Sequence, residues 1–132
     1  MANKLGMVGL FVGDLPRMVA FYRDVLGFEI DWDGQGPYAE FKNENVRFAM
    51  YERKMLPGLL GQTPDFTRGL NGTFELAIFC PTFADVDIEF NKVVTGGGKV
   101  VYAPRLEPWG MRSSMIADPE GNLIEIGSWN KG

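Results

Sequence analysis

Apolar and polar positions along the chain form a pattern that occurs twice. Met7 to Val12 is an apolar run closed by Gly13-Asp14, which predicts a strand. Pro16 then stands where a helix begins, with Asp14 as its N-cap. Val19, Phe21, Tyr22, Val25 and Leu26 recur at helical spacing, so the helix is predicted over Pro16 to Leu26, with Gly27 as its stop. Phe28 to Trp32 reads as a second strand, Asp33 to Pro37 as a turn, and Tyr38 to Phe41 with Val46 to Tyr51 as a hairpin around Asn43-Glu44-Asn45.

The same order returns after a gap. Phe74 to Phe79 is a strand, Thr82 an N-cap, and Phe83 to Val94 a helix through Val86, Phe90, Val93 and Val94. Gly96-Gly97-Gly98 ends it, and Lys99 to Tyr102 follows as a strand. Arg112 to Ala117 and Leu123 to Ile126 flank Asp118-Pro119-Glu120-Gly121-Asn122, a strong turn because proline presets one dihedral and glycine permits the left-handed one. The prediction is an α+β chain of two tandem βαβββ modules, about 5–52 and 73–129, within a single domain spanning 1–132. The connector, about 53–72, is rich in proline and glycine yet carries Leu56, Leu59, Leu60 and Phe66. It is either a loop packed on a sheet edge or a flap or dimer contact.

Composition narrows the function. The 132 residues carry a net charge of -4, which argues against nucleic-acid binding. One cysteine, Cys80, precludes an intrachain disulfide and fits a reducing, cytoplasmic setting. No signal peptide is apparent at Met1 to Gly6, and no run approaches the length of a membrane span. There is no histidine, which excludes histidine-dependent nucleophilic catalysis and removes the commonest imidazole metal ligand.

Val12-Gly13-Asp14-Leu15 followed by Phe21-Tyr22-Arg23-Asp24-Val25-Leu26-Gly27-Phe28 is similar to the opening motif of the vicinal-oxygen-chelate superfamily, the glyoxalase, bleomycin-resistance and extradiol-dioxygenase group. Pro108-Trp109-Gly110-Met111-Arg112, with Asp118 to Ile126, is similar to its closing motif. The resemblance implies modules that curl into an open, cupped, barrel-like sheet around a working cavity, and a chain that commonly forms a homodimer. It also implies metal ligands on four strands, one pair per module.

Strand alternation then selects residues for those positions. Val8, Leu10 and Val12 suit the helix-covered core, which leaves Met7 at the first ligand position, with Phe11 on the same face. Glu75 takes the corresponding place in the second module, sharing its face with Ala77 and Phe79. Glu125 matches the final ligand, and Phe48 the remaining one, with Met50 beside it. Two carboxylates, a methionine and a phenylalanine hold a hard divalent ion only loosely. No cofactor is therefore expected, with a divalent metal at Glu75 and Glu125 as the alternative. Otherwise Glu125 is a cavity or structural carboxylate paired to a base such as Arg112.

The remaining cavity candidates, Met7, Phe11, Phe48, Met50, Phe79, Trp109 and Met111, are apolar or aromatic and suit an amphipathic or cationic organic ligand. Trp109 lies in a Pro/Gly-flanked loop as a lid or a dimer contact. Two functions follow. One is a metal-independent small-molecule-binding protein. The other is a lyase, isomerase or related enzyme in which Glu75 and Glu125 are catalytic, as metal-binding or acid/base residues. A third, weaker reading is a regulatory or partner-binding dimer.

Overall fold

A computed structural model describes every residue from Met1 to Gly132. The chain divides into two compact units, Met1–Phe66 and Thr67–Gly132, so the boundary falls inside the connector.

In the first unit, β1 (Met7–Val12) lies parallel to β3 (Arg47–Glu52), and β2 (Tyr38–Phe41) pairs antiparallel with β3, giving the order β1-β3-β2. Helix α1 (Leu15–Ala20) starts where Asp14 caps it, its carboxylate accepting from the Arg17 amide at 3.1 Å. The helix predicted to Leu26 changes character at Phe21. Phe21–Val25 is a π-helical turn, with the Leu26 amide bonded to the Phe21 carbonyl at 3.1 Å. The wider turn leaves Phe21 and Tyr22 both buried. Tyr22, Phe28, Phe41 and Phe48 form one aromatic cluster with ring centroids 5.2–6.1 Å apart.

The strand predicted at Phe28 to Trp32 is reduced to one bridge, Glu29 to Lys42. Phe28 packs into the aromatic cluster, but Glu29, Asp31 and Asp33 are exposed and Gly34 and Gly36 take positive φ. Phe28, Ile30 and Trp32 are half-buried without a ladder, so side-chain packing rather than strand pairing holds this segment. The connector is more structured than predicted. It forms a 3₁₀ turn at Arg53–Met55 and a short helix α2 (Leu56–Leu60), of which Leu56 is buried and Leu59 and Leu60 exposed. Arg53 stacks over the Phe66 ring at 4.5 Å and donates to the Phe11 carbonyl at 3.1 Å.

The second unit repeats the plan at larger size. Its strands are β4 (Asn71–Phe79), β5 (Lys99–Leu106), β6 (Arg112–Ala117) and β7 (Asn122–Ser128), in the order β4-β7-β6-β5. β4 runs parallel to β7, and the other pairs are antiparallel. Helix α3 (Phe83–Thr95) begins in a capping box between Thr82 and Asp85 and buries Val86, Phe90 and Val93. The β6–β7 turn is fixed by the buried Asp118 carboxylate, which accepts from the Glu120 and Asn122 amides and the Asn122 side chain at 2.9–3.0 Å. Gly121 in that turn has φ +89°, and a Cβ there would meet the Gly69 carbonyl oxygen at 1.9 Å. The glycine thus serves both the left-handed turn and the passage of the chain that leads into β4. Neither sheet closes into a barrel. No helix is long and apolar enough to cross a membrane.

Candidate functional site

Each sheet has one face under its helices and one face turned away from them. In the first unit Val12 and Leu10 are buried on the helix side. Because Val8 pairs with Phe48 and Leu10 with Met50, those two residues share that side. Phe48 is 6% exposed and Met50 fully buried. This corrects the sequence assignment of both as cavity residues. A one-residue slip in register exchanges the faces of a strand, and the apolar run at Phe48 to Met50 does not by itself say which face is which. The opposite face carries Met7, Gly9 and Phe11 beside Arg47, Ala49 and Tyr51, and across β2 Tyr38 and Glu40. Phe11 and Tyr38 flank Tyr51 with centroids 5.6 and 4.8 Å away. Arg47 grips Glu40 in a two-pronged pair at 2.9 and 2.6 Å, and Tyr38 donates to the same carboxylate. These bonds hold the Glu40 carboxyl down at about 2.

In the second unit Glu75, Ala77 and Phe79 on β4 stand beside Leu123, Glu125 and Gly127 on β7. β6 adds Ser113, Met115 and Ala117, and β5 adds Tyr102 and Arg105. Glu75 and Glu125 are diagonal neighbours on adjacent parallel strands, roughly 8 Å apart at Cα by strand spacing and rise. The Glu75 carboxyl is held above its ordinary value, first by partial desolvation and then by the charge of Glu125. Ser113 Oγ donates to Glu125 Oε2 at 2.9 Å, and the Tyr102 hydroxyl lies 2.7 Å from Ser113 Oγ. Serine has one hydroxyl proton, spent on the carboxylate, so Tyr102 is the donor to serine. The result is a directed chain, Tyr102 to Ser113 to Glu125.

The other predicted residues divide. Met111 is buried over Gly127, where a Cβ would come within 2.4 Å of its Cε, and Phe79 pairs with Gly127 from β4. Both therefore flank the Glu125 face. Trp109 is 62% exposed in the β5–β6 turn. Arg112 is a second correction. It makes a two-pronged pair with Asp87 of α3 at 2.8 and 2.8 Å, on the helix side of the sheet, and does not neutralise Glu125. The hydrogen-bond donor to Glu125 is instead Ser113, one residue on and thus on the other face. Ser113, Tyr102 and Arg105 were not among the predicted residues. A tyrosine and an arginine on the edge strand β5 and a serine on β6 carry no periodic signal, and only the register brings them to Glu125.

The same register shows which first-unit residue corresponds to Glu125. Glu125 pairs with Ala77, two residues beyond Glu75; the residue pairing with Gly9, two beyond Met7, is Ala49. The first unit thus offers methionine and alanine where the second offers two glutamates. No group of three or more His, Cys, Asp or Glu side chains is placed to hold an ion. Two carboxylates fall well short of the six to eight oxygen ligands of calcium or the octahedral set of magnesium. The residues present do not fit a resident divalent metal.

Two α/β modules with a parallel first-to-last strand pair, each under one long-axis helix, define the glyoxalase/bleomycin-resistance fold. The family model described as Glyoxalase/Bleomycin resistance protein/Dioxygenase superfamily matches residues 4–126, and the chain belongs to that superfamily. The uncharacterized protein YraH of Bacillus subtilis (strain 168) is 30% identical over 125 residues, covering 93% of this chain and 96% of that protein. A glyoxalase/bleomycin resistance protein/dioxygenase from Nocardioides has the same fold, with a TM-score of 0.83 at 20% identity over 100% of this chain and 87% of that one. A lactoylglutathione lyase from Agrobacterium tumefaciens also shares it, with a TM-score of 0.73 at 22% identity over 96% and 94% of the two chains.

Proposed function

We propose that this protein is a metal-independent small-molecule binder whose ligand rests on the second-unit sheet face bearing Glu75, Phe79, Met111 and Glu125. The observation that carries this reading is the directed chain from Tyr102 through Ser113 to Glu125, with no third ligand beside the two glutamates. The chain holds Glu125 as an acceptor in a fixed orientation, with a lone-pair direction left for a ligand donor. Phe79 and Met111 supply apolar surface next to it, an arrangement suited to an amphipathic organic molecule. Exposed apolar side chains on the same unit support a homodimer as the working form. The lone thiol, Cys80, is compatible with a cytoplasmic home.

Thermal unfolding after chelator treatment tests the metal part. We expect Mg²⁺, Mn²⁺, Fe²⁺, Ni²⁺ and Zn²⁺ each to leave the midpoint unchanged. A resident ion at a hundredfold excess over its Kd would add about 2.7 kcal/mol, several degrees for a chain of this size. Such a rise with one metal, lost in Glu125→Gln, would overturn metal independence.

A second reading is favoured by one observation, the raised carboxyl of Glu75 beside Glu125. A carboxyl that holds its proton more tightly than usual can serve as a general acid at a carbonyl substrate, with Glu125 as the neighbouring carboxylate. The structural likeness to a lyase bears on the fold alone. Turnover of an α-ketoaldehyde or its adduct that is lost in both Glu75→Gln and Glu125→Gln would favour this enzyme over a binder.

A further inference from the structure

Arg105 has no part in the metal positions or in the carboxylate pair, yet it stands on the same sheet face. Its Cα pairs with Ser113, the residue that donates to Glu125. Its guanidinium lies 3.8 Å over the Tyr102 ring, and Tyr102 begins the chain that ends at Glu125. Register shifts between Val100 and Tyr102 and between Tyr102 and Arg105 bring two residues three apart in sequence to one face. Glu107, only 8% exposed, takes the Nε proton of Arg105 at 2.6 Å. That contact occupies the stem side of the guanidinium. No other hydrogen bond to Arg105 is formed, so the terminal nitrogens keep their donors, and the side chain is 56% exposed. An arginine stacked on a tyrosine and fixed through Nε presents an open pair of N–H groups with little freedom left to lose.

We propose that Arg105 is the anchor for a ligand carboxylate, and that the ligand is a small organic acid whose far end donates a hydrogen bond to Glu125. The inference rests on the binding-face reading and deepens it. β5 and β7 are two strand spacings apart, about 10 Å, and both side chains reach above the sheet. The two ligand groups are therefore separated by several bonds. A simple α-amino acid is too short to meet both ends, whereas an aromatic or extended amino acid spans the gap. Met115 on β6, which pairs with Tyr102 on one side and Glu125 on the other, supplies surface under the ligand's middle, while the Tyr102 ring backs the guanidinium. Glu107 offsets part of the arginine charge, so the anchor selects by two-pronged geometry more than by bulk attraction.

The test uses 4-(aminomethyl)benzoate as the two-ended probe, with benzoate and benzylamine as one-ended probes. Binding to the full chain is followed by calorimetry and by backbone amide shifts on β5, β6 and β7. We expect the two-ended probe to bind more tightly than either fragment. Arg105→Gln should weaken the probe and benzoate at least about tenfold while leaving benzylamine unchanged. Glu125→Gln should do the reverse, weakening benzylamine and sparing benzoate. Arg105→Lys should recover only part of the loss, because an ammonium lacks the fork. Removing Arg105 leaves the buried Glu107 unpaired, so Arg105→Gln/Glu107→Gln provides a second variant with the same expected loss. Equal binding of the probe to wild type, to Arg105→Gln and to Arg105→Gln/Glu107→Gln would overturn the anchor while leaving the Glu125 face standing. No shift on this face with any of the three probes would overturn the anchor and the binding face together.

Discussion

The Glu75 carboxyl lies diagonal to Glu125, and losing its proton places two negative charges on one sheet face. Its pKa is raised in the folded protein, so over the window between the unfolded and the folded value the unfolded chain gives up its proton first. In that window the unfolded state binds fewer protons, and stability falls as pH rises. The contribution is absent below the ordinary glutamate value of 4.5 and is fully unfavourable above the folded value. Glu75→Gln removes it. We expect chemical denaturation to show the variant equal to wild type near pH 4 and slightly more stable at pH 7. A variant less stable at pH 7 would mean that the Glu75 charge is paired in the fold. Glu40 has the opposite sign. Arg47 and Tyr38 lower it to about 2, so the stabilisation it brings is present above 4.5 and is lost as pH falls toward 2. A carboxyl resonance of Glu40 that titrates near 4.5 in NMR would break this account.

Elements were legible where a period and its punctuation agreed. β1, α3 and the β6–β7 hairpin show apolar spacing, a cap or turn residue, and a glycine stop in the expected order, and each forms within a residue or two of its expected bounds. The failures have a common cause. The Phe28 to Trp32 segment has strand-like residues, and Phe28, Ile30 and Trp32 are half-buried, but its backbone pairs at one bridge only, a matter of neighbouring chain that the sequence period does not carry. Phe48 and Met50 lie in an apolar stretch, Phe48-Ala49-Met50-Tyr51, whose two faces look alike in sequence, and only the parallel register with β1 sorts them. The hydroxyl chain to Glu125 was invisible because it depends on which strands are neighbours, not on spacing within any one. Capping is the feature that transfers best from residue type to energy. Thr82 Oγ donates to Asp85 Oδ2 at 2.8 Å and receives the Asp85 amide at 3.4 Å, while Asp85 Oδ2 takes the Thr82 amide at 3.1 Å. Thr82→Ala should cost about 1 kcal/mol and lower the midpoint by roughly 3–5 °C. A change under about 0.3 kcal/mol by denaturant titration would show that the Asp85 half of the box holds the helix start alone.

At the scale of the whole molecule, the second unit leaves large apolar side chains in water. Phe79 is 61% exposed, Val100 54% and Leu106 64%, and Val101 and Trp109 add to them. Val100, Val101 and Leu106 all lie on β5, the outer strand of its sheet. An outer strand invites another strand, but β5 contains Pro104 and two register irregularities, which remove a donor and disturb the ladder. Covering by side chains is therefore favoured over extension of the sheet. A second copy is the economical partner, because a twofold contact presents the same apolar residues from both sides. A stable contact of this kind needs about 800 Å² from each copy; Val100, Val101 and Leu106 on β5 with Trp109 in the following turn offer the apolar part of it at one edge, while Phe79 lies on β4 at the opposite edge. Sedimentation at micromolar concentration should give a species of twice the 14.7 kDa chain mass. Leu106→Glu, which places a charge in the patch away from Glu75 and Glu125, should shift it to the single chain with the fold intact by circular dichroism. A wild-type protein that sediments as one chain at 100 µM would remove the dimer. The proposed binding face at Glu125 would then have to work within a single copy.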